Sequence, residues 1–281
     1  MRTTSLKAIN DTSFWDQRRN KIFSRKGGWK IGKAVLNHGY SMMDDLVGNV
    51  SYMQVMMLNS LGKLPDRRLA DWMEAFHICL SWPDPRIWCN HIGALGAEMK
   101  VSAVAATSSG NMAMESRAYG SHTLIDGVNF IQNALKEYKS GVSVEELVKA
   151  ASQRVGATPV ITGYARPIAK GDERVGAMEK VTEELGFEIG EHLALAYKVE
   201  EYLNDHFSES MNINGYVSAF LSDIGFTAEQ VYISCSTLVA SGVTACYLDA
   251  NARTPGSFLP LKCDDINYEG KEHRSVPEQT A

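Results

Sequence analysis

The sequence has few cysteines and no long apolar run. Its five cysteines are odd in number and lie mostly in apolar stretches, which indicates reduced thiols rather than disulfides. Cys89 and His91 lie two positions apart, but no second Cys/His pair completes a tetrahedral set, so we expect no metal site. No apolar run approaches the roughly 20 residues of a membrane span, and polar sequence rather than an apolar signal core follows Met1. The sequence therefore predicts a cytoplasmic protein without membrane contact.

The chain also lacks the features of several large functional classes. The formal net charge is −5 and the basic residues are dispersed, which disfavours nucleic acid as a partner. Neither a Gly-x-x-x-x-Gly-Lys-Ser/Thr loop nor a Gly-x-Gly-x-x-Gly after a strand is present, so nucleotide-hydrolysing and dinucleotide enzymes are disfavoured. No Gly-x-Ser-x-Gly elbow supports serine hydrolase chemistry.

Helix signals, by contrast, are frequent. Three capping-box patterns precede apolar runs, at Ser51 with Gln54, Ser143 with Glu146, and Thr227 with Gln230. Leu69, Met73, Phe76 and Leu80 recur at helical spacing, and so do Leu195, Val199 and Tyr202. Alternating β-branched residues are scarce, and no Asn-Gly or Asp-Gly hairpin joins two strand-like runs. These patterns predict an all-α protein.

The segment from Gly163 to Arg174 is the most informative for function. It contains three cations: Arg166, Lys170 and Arg174. They precede an amphipathic helix, whose first N–H groups and positive dipole end also favour an anion. The sequence therefore predicts an anion site here. The alternative is that these cations are solvated surface charges with Asp172 and Glu173 as partners.

Five segments, in order along the chain, resemble the citrate synthase superfamily. Gly163–Arg174 resembles its Gly-Phe-Gly-His-x-x-x-Lys-x-x-Asp-Pro-Arg loop. Met211–Tyr216 is similar to its Leu-Asn-Val-Asp segment, and Gly242–Cys246 to its Ala-Arg-x-x-Gly-Trp-x-Ala-His helix. Upstream, Gly39–Leu46 and Leu61–Pro65 resemble its Gly-Tyr-x-x-x-Asp-Leu and Gly-x-Leu-Pro elements. The short N-terminus and the ending resemble the compact citryl-CoA lyase branch.

The resemblance implies a citrate synthase-like, all-helical homodimer. A large helical domain would comprise residues 1–121 and 213–281, a small helical domain residues 122–212, and the active site would lie between them. The implied activity joins or cleaves a carbon–carbon bond between a CoA thioester and an oxo acid. Coenzyme A thioester would be a substrate, with no permanently bound cofactor, and the ligands would be an acyl-CoA and a small carboxylic acid.

The same resemblance implies the catalytic positions, two of which are altered. The family uses an Asp base and two His donors to enolise the thioester. Asn214 stands at the Asp position and Arg166 at the loop His, and a neutral amide cannot take the proton. His122 is similar to the remaining His and is expected to be a donor. The alternative for His122 is a hydrogen-bonded histidine at a helix start.

The implied binding positions are partly kept. Arg174 corresponds to an arginine that holds a substrate carboxylate, and Lys170, followed by Gly171, to a basic group at the CoA phosphate. Val239 replaces a second carboxylate-binding arginine, and Trp82–Arg86 replaces a segment that carries an oxo-acid-binding His.

Three functional hypotheses follow. The first is a CoA-dependent lyase or synthase in which Arg166 neutralises an enolate or a carboxylate and another group, such as Asp84 or Asp126, is the base. The second is a non-catalytic homologue that binds CoA or an acyl-CoA as a sensor or partner subunit. The third is a structural or interaction protein that has only the scaffold.

Overall fold

Helices make up most of the structure, which confirms the all-α prediction. The computed structural model describes residues 11–117, 120–151, 159–166, 171–254 and 262–277. The α-helices are α1 Ser13–Asp16, α2 Tyr52–Leu61, α3 Arg67–Cys79, α4 Trp88–Glu98, α5 Ala103–Ala113, α6 His122–Lys139, α7 Val144–Ala151, α8 Glu173–Glu184, α9 Glu191–Phe207, α10 Ile213–Asp223, α11 Ala228–Ser234 and α12 Ala240–Asn251. A π-helix covers Met42–Leu46 and a 3-10 turn Cys263–Asp265. In the described part of the chain, no helix is both long and apolar enough to cross a bilayer.

A small antiparallel sheet precedes the main helices. Its strands are β1 Gly27–Lys30, β2 Ala34–Asn37 and β3 Tyr40–Ser41, in that spatial order. The two residues between β2 and β3, His38 and Gly39, have φ values of 50° and 89°. Two successive positive φ angles are typical of the type I′ turn that closes tight hairpins. The sheet is too small to change the fold class.

The three predicted capping boxes start helices α2, α7 and α11. The Ser51 hydroxyl accepts from the Gln54 N–H while the Gln54 side chain accepts from the Ser51 N–H, and Thr227 and Gln230 repeat the pattern. Ser143 and Glu146 make the same reciprocal bonds ahead of α7. Each box satisfies N–H groups that the first helical turn leaves unpaired. These side chains fix where the helices begin.

The chain divides into two compact units. The first unit comprises residues 1–76 and 124–235, and the second unit residues 77–123 and 236–281. The separate division into a large lobe (1–121 and 213–281) and a small lobe (122–212) stays a prediction.

One buried hydroxyl connects three helices of the first unit. Thr182 on α8 accepts hydrogen bonds from the Trp72 indole Nε1 and from the Tyr216 hydroxyl, both at 2.8 Å. It donates to the Met178 carbonyl at 2.7 Å. Trp72 on α3 also stacks on Phe220 of α10, with ring centroids 4.1 Å apart. Large aromatic surfaces with paired polar tips therefore hold α3, α8 and α10 together.

The second unit is built on close packing of α4, α5 and α12. A Cβ at Gly93 or Gly110 would lie 2.6 Å or 2.5 Å from Cγ1 of Val243, so both positions need glycine for the helices to approach. The adjoining core is made of small residues with one aromatic: Ala94, Ala97, Ala106, Cys246, Tyr247 and Ala250. Small side chains at these positions let the helix backbones pack closely.

Candidate functional site

The loop that begins at Gly163 is held against the start of α10. Tyr164 and Met211 form an isolated antiparallel bridge. The Asn212 N–H donates to the Gly163 carbonyl at 2.9 Å, and the Asn212 side-chain amide donates to the Ala165 carbonyl at 2.7 Å. The position of the loop therefore depends on the residues just before α10, although Ala165 and Asn212 are 47 positions apart in the sequence.

Two glycines allow this close approach. Gly163 has a φ of +98°, and a Cβ there would lie 2.8 Å from the Gly215 Cα. A Cβ at Gly215 would lie 2.3 Å from the Gly163 carbonyl oxygen. Backbone atoms cannot move aside as a flexible side chain can, so any larger residue at Gly215 would push the loop away. The glycines thus position the loop that carries Arg166.

Asp172 is the central side chain of the site. Its side chain is 0% exposed. It accepts hydrogen bonds from Arg174 Nε at 2.7 Å and from the second terminal nitrogen of Arg174 at 2.6 Å. It also accepts from the Ile213 N–H at 2.9 Å. Asp172 caps α8 by accepting from the Arg174 N–H, so one carboxylate joins the start of α8 to the start of α10.

The charge of Asp172 is favoured by these partners. Burial raises the pKa of its carboxyl, but the hydrogen bonds and charge of Arg174, together with the Ile213 N–H, outweigh burial and lower the pKa from its ordinary value. Asp172 is therefore an ionised carboxylate at neutral pH, and its bidentate bond fixes the Arg174 guanidinium.

Arg166 is paired with Glu173, the residue that follows Asp172. Its two terminal nitrogens donate to the two Glu173 oxygens at 2.6 Å and 3.3 Å. One of these nitrogens also lies 3.8 Å from Asp172. The hydrogen bond from Arg166 lowers the pKa of the Glu173 carboxyl. The Arg166 side chain is 11% exposed, whereas that of Glu173 is 67% exposed.

The alternative of solvated surface charges holds for the two described arginines only in its pairing. Arg166 pairs with Glu173 and Arg174 with Asp172, but neither arginine is solvated. The Arg174 side chain is 21% exposed, and that of Arg166 is even less so. Both guanidinium groups are bound by carboxylates at the start of α8, which limits their contact with water. Two arginines and two carboxylates leave this cluster without net charge.

Asn214 lies in the first turn of α10. Its N–H donates to the capping Asn212 side chain at 2.9 Å, and its own Oδ1 accepts from the Ser218 hydroxyl at 2.9 Å. Gly127 of α6 faces this amide, since a Cβ there would lie 2.3 Å from Asn214 Oδ1. The local contacts hold the amide in place, and an amide donates and accepts hydrogen bonds without taking a proton.

His122 is the first residue of α6 and belongs to the second unit. Its Nδ1 lies 3.2 Å from a carboxylate oxygen of Glu115, and the Ser121 hydroxyl donates to the other oxygen at 3.2 Å. This geometry matches the structural alternative of a bonded histidine at a helix start. The role of His122 as a catalytic donor stays a prediction.

The predicted CoA-binding pair is only partly described. Lys170 lies outside the described residues. Gly171 has a φ of +70°, and a Cβ there would meet no heavy atom within 4 Å. Its left-handed backbone, rather than a lack of space, is the reason for glycine immediately before the Asp172 cap.

The two alternative bases differ in their surroundings. The hydrogen bonds of Arg86 hold the pKa of Asp84 at about 2, and the two side chains approach to 2.6 Å. A carboxylate with so low a pKa is a weak base for a weakly acidic carbon. Asp126 is exposed on α6. In the described contacts, Asp84 is bound by an arginine and Asp126 is not.

Four of the five cysteines have described side chains. Cys79, Cys89, Cys235 and Cys246 are not in disulfides, and burial raises the pKa of Cys89 to about 11 and that of Cys235 to about 12. The thiols of Cys89 and Cys235 are therefore neutral. Among the residues that the structure describes, no group of three or more His, Cys, Asp or Glu side chains could hold a metal ion.

Sequence reasoning found both arginines and the α10 start, but not the role of Asp172. The available signal was its place directly before the amphipathic helix, where Asp is a preferred N-cap. The bond from Asp172 to Ile213 could not be read from spacing, because it joins residues 41 positions apart.

No protein-family model matches the sequence, and a search of curated proteins finds no match. Solved structures do match. A citryl-CoA lyase from Hydrogenobacter thermophilus is 25% identical, with a TM-score of 0.75 over 91% of this chain and 97% of that chain.

Two longer proteins share the fold at lower identity. An ATP citrate lyase from Methanothrix soehngenii, solved with citrate and coenzyme A, is 17% identical, with a TM-score of 0.69 over 95% of this chain and 44% of that one. A citrate synthase from Thermoplasma acidophilum, solved with carboxymethyl coenzyme A and oxaloacetate, is 13% identical, with a TM-score of 0.59 over 81% of this chain and 59% of that one. This chain thus spans about half the length of these two.

Proposed function

Because the chain has the citrate synthase superfamily fold, we propose that it is a CoA-thioester-dependent carbon–carbon lyase or synthase. Its substrate would be an oxo acid with an acyl-CoA, or a hydroxy-acyl-CoA. The observation that supports this most is the pair of largely buried arginines beside the start of α10. Buried guanidinium groups are suited to carboxylates, which they bind in a bidentate manner.

In the cleavage direction, a base removes the proton of the substrate hydroxyl. The carbon–carbon bond then breaks, the oxo acid leaves, and the electron pair forms the thioester enolate, which takes up a proton. We assign Arg166 to neutralising the enolate or a carboxylate, and Arg174 to holding a substrate carboxylate. Asp172 accepts from Nε and from one terminal nitrogen of Arg174. A guanidinium has further N–H groups, and we assign these to a second carboxylate, that of the substrate.

His122 is proposed as a hydrogen-bond donor, and Lys170 with Gly171 as the site for the CoA phosphate. Asn214 would orient the thioester by hydrogen bonding, because its amide cannot be the base. Asp126 is the better of the two alternative bases, since Asp84 is held by Arg86.

A second candidate is a non-catalytic homologue that binds CoA or an acyl-CoA as a sensor or partner subunit. The observation in its favour is Asn214, whose amide is held by Ser218 and is neutral. A binding protein needs the arginines and Lys170 but no base.

We further propose that the chain forms a homodimer, with a small lobe at 122–212 and a large lobe at 1–121 and 213–281. Light scattering of the purified protein should then give twice the mass of one chain.

The first experiment is a calorimetric titration with CoA and acetyl-CoA. Both candidates predict binding in the micromolar range, and Lys170→Ala should weaken it on the order of tenfold because a phosphate contact is lost. Lys180→Ala, on the exposed face of α8, is the matched control and should bind as the wild type does. A well-folded protein that binds neither compound would leave only the scaffold hypothesis.

Enolisation separates the two candidates. If an active-site base is present, the wild-type chain should exchange solvent deuterium into acetyl-CoA, and Arg166→Ala should reduce exchange on the order of a hundredfold by removing the cation that stabilises the enolate. Mass spectrometry of the recovered acetyl-CoA measures this. Binding without exchange in the wild type, combined with exchange in the double variant Asn214→Asp, Arg166→His, would favour the non-catalytic homologue.

A further inference from the structure

We propose that Glu173 is a displaceable internal carboxylate, which occupies Arg166 until a ligand carboxylate replaces it. This inference rests on the proposed function, since it assigns how the same site admits its anionic ligand. Glu173 would then determine specificity: only a ligand with a carboxylate strong enough to compete for Arg166 would bind fully.

The geometry of the Arg166–Glu173 pair is that of a bound carboxylate. The guanidinium donates to both Glu173 oxygens, at 2.6 Å and 3.3 Å, which is the fork arrangement in which arginine binds carboxylate ligands. The Arg166 side chain is 11% exposed, so its charge needs a partner in this position. A ligand carboxylate could replace Glu173 with the same bonds and the same charge balance.

The two carboxylates of the cluster differ in whether they can leave. Asp172 is fully buried, accepts from Arg174 and Ile213, and caps α8. Removing it from these donors would leave buried polar groups unpaired. Glu173 is 67% exposed, so its carboxylate passes into water by side-chain rotation alone. Asp172 is thus the fixed partner of the cluster and Glu173 the exchangeable one.

An internal competitor multiplies the apparent association constant of the ligand by the fraction of molecules in which Arg166 is accessible. Glu173→Gln keeps the size of the side chain and removes its charge, so the variant should bind citrate on the order of tenfold more tightly than the wild type. Glu183→Gln, on the same helix and exposed, is the matched control and should leave the citrate affinity unchanged. Calorimetric titration with citrate and, separately, with acetyl-CoA measures both affinities.

The outcomes distinguish this inference from the proposed function. Citrate binding that is equal or weaker in Glu173→Gln, in a chain that binds acetyl-CoA, would overturn the displaceable carboxylate alone. Absence of acetyl-CoA binding in every variant would overturn the proposed function. A gain in citrate affinity in Glu173→Gln that is absent from the Glu183→Gln control would still support Glu173 as the competitor at Arg166. Glu173→Ala should reproduce the gain, because it also removes the carboxylate.

Discussion

Replacing Asp172 with alanine should destabilise the folded protein by about 3–5 kcal/mol, the usual cost of removing one partner of a buried ion pair. The Arg174 guanidinium would lose both of its bonds to this carboxylate, and the Ile213 N–H would lose its acceptor. The α8 helix would lose its cap as well. Urea unfolding followed by far-ultraviolet circular dichroism measures the change, as the midpoint shifts at constant slope.

The matched control is Asp71→Ala on α3. Asp71 also accepts from an arginine, Arg67, at 2.6 Å, but the two side chains are 34% and 65% exposed. An exposed pair four residues apart contributes little, because water and salt screen its charges. Asp71→Ala should therefore lose far less stability than Asp172→Ala. Equal losses in the two variants would mean that burial of Asp172 adds nothing to the stability of the site.

The pH dependence of unfolding gives a second readout. The folded-state pKa of Asp172 is lowered, so its contribution is complete above the unfolded aspartate pKa of about 3.9 and is lost as the pH falls through the folded value. Wild-type stability should therefore fall more steeply than that of Asp172→Ala below this pH. Parallel curves would contradict the lowered pKa.

Replacing Gly215 with alanine should destabilise the protein by at least about 2 kcal/mol and abolish ligand binding. The new Cβ would lie 2.3 Å from the Gly163 carbonyl oxygen, so the loop would have to move from the start of α10. That loop carries Arg166, and its displacement would separate Arg166 from its partners. Thermal unfolding and the acetyl-CoA titration measure the two effects.

Gly176→Ala provides a control of the same chemical change in a helix. Gly176 is an exposed position of α8, and a Cβ there would meet nothing within 4 Å. Alanine favours the helix by about 0.8–1 kcal/mol relative to glycine, so this variant should be more stable than the wild type. A stabilised Gly215→Ala would show that the loop does not need its close contact with α10.

Local signals predicted much of the fold. The capping boxes at Ser51, Ser143 and Thr227 start helices because the bonds that define them join residues only three positions apart. The stripe that includes Met73 and Phe76 lies on the buried face of α3, since helical periodicity is also a local property. Interactions of this range can be read from a single sequence.

The small antiparallel sheet was not predicted, because its local signals are weak. Its tight turn uses His38 and Gly39 instead of the Asn-Gly or Asp-Gly pair that most clearly indicates a type I′ turn. The four-residue β1 and β2 strands are also too short for alternation to be distinctive.

The site was predictable only in its cations. Charge and helix-start position identified Arg166 and Arg174, but not which carboxylate would be buried and which exposed. Asp172 and Glu173 are neighbours of the same charge type, yet their side chains are 0% and 67% exposed. The difference arises from the approach of α10, which provides the Ile213 N–H to Asp172, and such tertiary contacts leave no trace in local spacing.

The Thr182 hydroxyl has evolutionary consequences as well. A hydroxyl can donate one hydrogen bond and accept two. The Thr182 hydroxyl donates to the Met178 carbonyl and accepts from the Trp72 indole N–H and from the Tyr216 hydroxyl. No capacity is left over, so the loss of any one partner alters the requirements of the others. Among homologous sequences, we expect positions 72, 182 and 216 to covary, with substitutions fixed in combination rather than singly.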